Sequence, residues 1–200
     1  MTLDVTLSAP RSSRHGWSAT RREARLRRQR LARQARLVAQ RGELHYIRTL
    51  LGDAVTVVAG GWVQHGWFLV TTEQGRQVRM GASSVPVMST GTVTGACLVG
   101  AIVQAGGGPA AAHSQLVQRT LDLTWHVLYH DESQPPRWCP APTLRAAHLR
   151  DLTRWNDEPT RTSHEVTELL HSAERAAHAQ SDRLGCELAL IGEGSGRATA

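Results

Sequence analysis

Lysine is absent from this chain of 200 residues, and all 23 of its basic side chains are arginine. Asparagine occurs once (Asn156), phenylalanine once (Phe68) and isoleucine three times, while alanine, glycine and arginine abound. Codons pushed towards G and C produce this composition, so we expect a GC-rich bacterial or phage genome. The missing lysine is then no sign of phosphate recognition by itself. Cysteine is scarce too: Cys97, Cys139 and Cys186 are odd in number and share no repeated spacing. That excludes a disulfide framework and makes a reducing cytoplasm the expected location.

Long apolar runs are also lacking. No formal charge falls between Met80 and Ala112, but the continuous stretch from Gly95 to Ala105, apolar except for Gln104, stops at Gly106-Gly107-Gly108-Pro109. It is about half of the ~20 residues that a spanning helix needs, so a buried core helix is expected and no membrane partner. Met1 to Ala9 is mixed, and the arginines follow it, which is not the order of a secretory signal. A mitochondrial presequence would share the arginines, but the inferred bacterial origin argues against it. The apolar share is that of a globular protein, which excludes wholesale disorder.

What is present is unevenly placed. Residues 1–41 hold 11 arginines against Asp4 and Glu23, a balance of +9, whereas residues 42–200 hold 12 against 15 acids, a balance of −3. A basic arm on a mildly acidic body points to a polyanionic partner for the arm. Residues 1–17 read as unstructured. Ser18 to Gln40 suits a helix, with good helix formers, no Pro or Gly inside, and Gly42 as its stop. On it Ala24, Leu31, Ala35 and Val38 form one narrow stripe. That is too little to stabilise a helix of mutually repelling charges without a partner surface.

Leu44, Ile47, Leu51, Val55 and Val58 recur at helical spacing and predict a second helix ending at Gly60-Gly61. Trp62 to Thr72 and Arg76 to Met80, joined by Glu73-Gln74-Gly75, read as a β-hairpin. Residues 81–92 read as loop. Thr92 or Thr94 is expected to cap a helix running to Ala105, and further helices are expected over 110–130 and 143–154, with a proline-rich loop between them. Thr162-Ser163-His164-Glu165 has the capping-box spacing, which opens a last helix burying Val166, Leu169, Leu170, Ala173 and Ala177. The expected architecture is mainly α (α+β): a compact bundle of about five helices with one short hairpin, preceded by an Arg-rich helical arm. Its divisions are an arm at 1–41, a globular domain at 42–184 and a flexible tail at 185–200.

Two groups of residues could carry chemistry. Cys97, at the start of its expected helix, would feel the helix dipole, which lowers a thiol's pKa. Cys97, His126 and the Asn156-Asp157 pair stand in the order Cys, His, Asn used by papain-like proteases, where His takes the thiol proton and Asn orients the ring. The alternative is that Cys97 is a small buried apolar residue. The second group is Arg21, Arg22, Arg25, Arg28, Arg33 and Arg36, which could neutralise phosphates on DNA or RNA with salt-sensitive, sequence-tolerant binding. An acidic protein, an anionic surface or a merely solubilising arm are the alternatives. His164, His171 and His178 repeat every seven residues, too far apart for one ion, and the cysteines show no zinc spacing, so no metal and no cofactor are expected.

Gly95-Ala96-Cys97-Leu98-Val99-Gly100-Ala101, Trp155-Asn156-Asp157 and Arg161-Thr162-Ser163-His164-Glu165-Val166, with Gly61-Trp62, resemble a family of small uncharacterised proteins of actinobacteria, other bacteria and phages. That family joins a Cys-x-x-Gly-Ala helix to a Trp-Asn-Asp loop and an Arg-Thr-x-x-Glu-Val helix. The resemblance covers residues 44–178, leaves the arm outside, and implies no activity. The expected function is a non-enzymatic cytoplasmic binding protein whose arm engages nucleic acid or another polyanion. The alternatives are a Cys97-dependent hydrolase or transferase, and a self-assembling or virion-associated protein.

Overall fold

The computed structural model describes residues 14–81, 91–130, 136, 138 and 141–196. Residues 82–90 of the loop expected at 81–92, residues 131–135, 137, 139 and 140 of the proline-rich loop expected at 131–142, and residues 1–13 lie outside the described residues, while 14–17, expected to be unstructured, are helical. Five α-helices and a three-stranded antiparallel sheet make up the fold: α1 (Arg14–Gly60), β1 (Phe68–Thr71), β2 (Gln77–Met80), β3 (Thr92–Ala96), α2 (Leu98–Ala105), α3 (Gln115–Tyr129), α4 (Pro142–Asn156) and α5 (Ser163–Gly196).

The arm helix does not stop at Gly42. It continues into the apolar helix as a single α1 of 47 residues, about 70 Å long at 1.5 Å per residue. A helix-interior glycine costs only about 1 kcal/mol, and α1 is held on both sides of it. Leu37, Leu44, Leu51 and Val58 are buried at seven-residue intervals, with Ile47 and Ala54 between them. On α5 the buried Val166 and Ala173, and Leu170, Ala177 and Leu184, keep the same interval. Two helices sharing this repeat pack along a common seam. The pairing is antiparallel: Val58 and Trp62 share a cleft with Ser163 and Thr167, Arg41 lies against Gly185, and Arg33 pairs with Glu187. Accordingly α5 does not end near Leu184. It stays helical through Gly196, and Glu187, Leu190 and Ile191 stand beside Arg33, Arg30 and Gln29 of the arm.

The hairpin expected at 62–80 is present in shortened form and is joined by a third strand. The sheet order is β2-β1-β3, with Phe68 opposite both Met80 and Ala96. Thr92 and Thr94 therefore do not cap a helix. The segment Thr92-Val93-Thr94 has β-branched residues throughout and pairs with β1, and the helix begins later, at Leu98, with Cys97 as its cap. Leaving α1, the chain runs beside β3, where Ala96 N–H donates to Gly61 C=O at 2.8 Å. Gly61 permits this, since a Cβ there would lie 2.4 Å from Thr94 O.

Helix α2 is the centre of the molecule. Leu98, Val99, Gly100, Ala101, Ile102 and Val103 are all buried, as expected of a helix that is apolar on every side. Gly100 lets the backbone before β1 touch α2, because a Cβ there would meet Trp67 O at 1.9 Å. A short 3-10 turn, Pro109–His113, precedes α3, so that helix starts at Gln115, capped by Ser114, and not at Ala110. The capping box of α5 forms: Thr162 N–H donates to Glu165 Oε2 at 2.8 Å and Glu165 N–H to Thr162 Oγ1 at 3.3 Å. Glu165's carboxyl is held below the usual range, first by the Thr162 N–H. Among the described residues no helix is long and apolar enough to cross a membrane.

Candidate functional site

Of the four candidate catalytic residues, the fold gathers Cys97, Asn156 and Asp157. Cys97 is fully buried between β3 and α2, with its N–H on Trp67 O at 3.0 Å and its sulfur accepting Gly100 N–H at 3.3 Å. The lowered pKa expected from the helix start does not occur. Burial pushes the thiol up to about 12, outweighing the N–H groups that favour the thiolate, and Asp157 adds to the rise. The group is therefore a protonated thiol at neutral pH, suited to packing and capping.

Asn156 is the hub of this junction, at the last residue of α4 and completely buried. Its Oδ1 accepts from Trp62 Nε1 and from Leu98 N–H, both at 3.0 Å, while its Nδ2 donates to Val63 O at 3.2 Å and to Asp157 Oδ1 at 2.9 Å. Asp157 Oδ1 also accepts His65 N–H at 2.9 Å, at a residue with φ of 59°. Gln64 Nε2 reaches Asn156 O and Glu158 O at 3.0 and 2.8 Å. One carboxamide thus binds the end of α4, the chain leaving α1 and the first turn of α2. Arg161 covers the Trp155 ring at 4.0 Å and pairs with both Glu158 and Glu165 at 2.8 Å, fixing the turn into α5.

His126 lies in the last turn of α3, buried and stacked on His130 at 4.8 Å. Beside it is a cluster that sequence reasoning missed. Asp122, 3% exposed, accepts from Arg145 Nε at 3.2 Å and contacts His148 Nδ1 at 3.3 Å. The His148 ring stacks on Trp125 at 3.7 Å, and Trp125 Nε1 donates to Asp151 Oδ2 at 3.1 Å. The signal was there as spacing, Asp122 and Trp125 on one helix against Arg145, His148 and Asp151 at three-residue steps on another. Only the packing of α3 on α4 turns it into pairs. A buried carboxylate held by the Arg145 guanidinium beside the His148 imidazole is compensated charge, and the cluster locks the two helices in register.

The six candidate phosphate-binding arginines lie along the described arm, and every residue from Arg21 to Arg33 is exposed, as is Arg36. On a 3.6-residue repeat Arg21, Arg25 and Arg28 share a face, and Arg36 falls beside it about two turns on. Arg22 and Arg33 lie nearer the α5 side, where Arg33 is paired with Glu187. A groove of about 310 Å³ runs here between Gln29, Arg30 and Arg33 and the residues Leu190 and Ile191. A second cleft, about 480 Å³, lies between the end of α1 and the start of α5, where Trp62 and His164 line it. His171 and His178 sit 3.7 Å from Glu174 and Asp182. Among the described residues no group of three His, Cys, Asp or Glu is placed to hold a metal ion.

Residues 43–176 match the model of a family of unknown function. The arm and the end of α5 that packs on it fall outside the match. Comparisons with curated proteins and with solved structures find no match.

Proposed function

The chain belongs to that family, DUF6197, described as a family of unknown function, and we propose that it is a cytoplasmic binding protein whose arginine-rich helix engages nucleic acid or a similar polyanion. The observation that supports this reading is the exposed arginine face of α1, Arg21, Arg25 and Arg28 with Arg36 beyond, carried on a helix anchored to the core. These four span about 22 Å, and charges presented on a folded helix lose less freedom on binding than charges on a loose chain. Arg33 would exchange Glu187 for a phosphate.

Deleting the arm is a poor test, because α5 buries Leu184 and half-buries Leu188 and Ile191 along its arm-facing side. The full chain carrying Arg21→Gln, Arg25→Gln and Arg28→Gln keeps that seam. Binding to a labelled nucleic acid, followed by anisotropy between low and physiological salt, is expected to weaken in the variant. The slope of log affinity against log salt should fall by about 2.7, at about 0.9 per lost phosphate contact. Equal affinities and equal slopes for the two proteins would reject the proposal.

A further inference from the structure

We infer that the polyanion is B-form duplex DNA, with the exposed length of α1 seated in its major groove. This rests on the binding reading above and narrows it to one substrate class. Every residue from Arg21 to Arg33 is exposed, and although α5 runs beside Gln29, Arg30 and Arg33, the opposite side of this length of α1 faces solvent. A helix is about 10–12 Å across with its side chains and the B-form major groove about 12 Å wide. The major groove of A-form RNA is too narrow to be read by side chains.

The distribution of residues around the helix favours a groove over a flat polyanion. The seam with α5 passes through Leu37 and Leu44. On the far side lies a stripe of Ala24, Leu31, Ala35 and Val38, in which Leu31 and Val38 are 55% and 59% exposed. At 100° per residue, Arg27 flanks this stripe on one side, and Arg21 and Arg28 flank it on the other. A helix lying stripe-down in the groove would set small and apolar side chains against the groove floor, where thymine methyl groups project, and send arginines to the phosphates of both walls. A single strand would need aromatic platforms for its bases, and residues 21–41 contain no aromatic residue.

The test compares the full chain's affinity, at one salt concentration, for a mixed-sequence DNA duplex, an RNA duplex of the same sequence, the single DNA strand and inorganic polyphosphate. A second protein carries Leu31→Glu, a change at an exposed site that leaves the fold intact by circular dichroism. The expected result is at least tenfold preference for the DNA duplex, and at least tenfold loss of that binding in L31E with a much smaller loss for polyphosphate. RNA duplex, single strand or polyphosphate binding as tightly as the DNA duplex would overturn the groove assignment while leaving the polyanion reading intact. So would equal losses for all four ligands in L31E. Absence of binding to all four would overturn both.

Discussion

Replacing Asn156 by Asp changes one NH2 into an oxygen and leaves the shape of the side chain intact, so it isolates the hydrogen-bond pattern of the central junction. The two donors that Oδ1 accepts, from Trp62 and Leu98, keep their partner, but Val63 O and Asp157 Oδ1 lose the Nδ2 donor. An ionised carboxyl there would face a carbonyl and a second carboxylate in a fully buried site, so it must stay protonated. Holding an Asp protonated at pH 7 against an ordinary pKa of about 3.9 costs about 4 kcal/mol. Its one O–H satisfies only one of two acceptors, which adds about 1 kcal/mol. The folded pKa of the introduced carboxyl is raised above its unfolded value, so the 4 kcal/mol penalty is absent below about pH 4 and grows by about 1.4 kcal/mol per pH unit above it. Urea unfolding of the native protein and N156D at pH 4, 5.5 and 7, at matched m-values, should give differences rising from about 1 to about 5 kcal/mol. This is a large share of a typical 5–15 kcal/mol. A difference under 1 kcal/mol at pH 7, or one that does not change with pH, would refute the claim that Asn156 holds the junction through its donor pattern.

Three further outcomes are expected. A thiol reagent at pH 8, with sites mapped by mass spectrometry, should label the exposed Cys186 rapidly and Cys97 only as fast as the protein unfolds, because Cys97 is enclosed and its thiol is pushed up to about 12; equal labelling rates would contradict this. Gly100→Ala should destabilise by about 3 kcal/mol or more through its clash with the Trp67 carbonyl, whereas Gly42→Ala, with open space around the new methyl, should stabilise by about 0.5–1 kcal/mol; the reverse order in thermal melts would show that the helix contacts are misplaced. Glu165's depressed carboxyl contributes stability that is complete above the ordinary Glu value near 4.3 and is lost as pH falls through its lower folded value. The stabilities of the native protein and Glu165→Gln should therefore converge in acid, and a gap unchanged between pH 7 and pH 2 would count against the capping role.

Local chemistry was the readable part of the fold. The Thr162–Glu165 box, the apolar helix through Leu44, Ile47, Leu51 and Val58, the turn after Thr72 and the buried helix before Gly106 all follow from spacing within a few residues, and all are present. The misreadings occurred where a distant partner overrides a local preference. Gly42 is a helix stop by its own propensity and is crossed because α5 spans it, and Thr92 and Thr94 are good caps drawn instead into a strand by β1. At the candidate site, the pairing of Cys97 with Asn156 and Asp157 was anticipated only as an order along the chain. The Asp122–His148–Trp125 cluster, which needs two helix faces at once, was not anticipated at all.

The sequence by itself determined that the charge is concentrated in the arm, that the body is helical with a small sheet, and that Arg21, Arg25 and Arg28 share a helix face, because these depend only on composition and on the period of the backbone. Tertiary structure alone decided two things. The arm became one continuous helix with the core, since the seven-residue repeat of α1 acquires meaning only opposite that of α5. The Cys97 thiol became inert, since a helix N-terminus lowers a thiol's pKa while burial raises it, and burial, the larger effect here, is a property of everything packed around the residue.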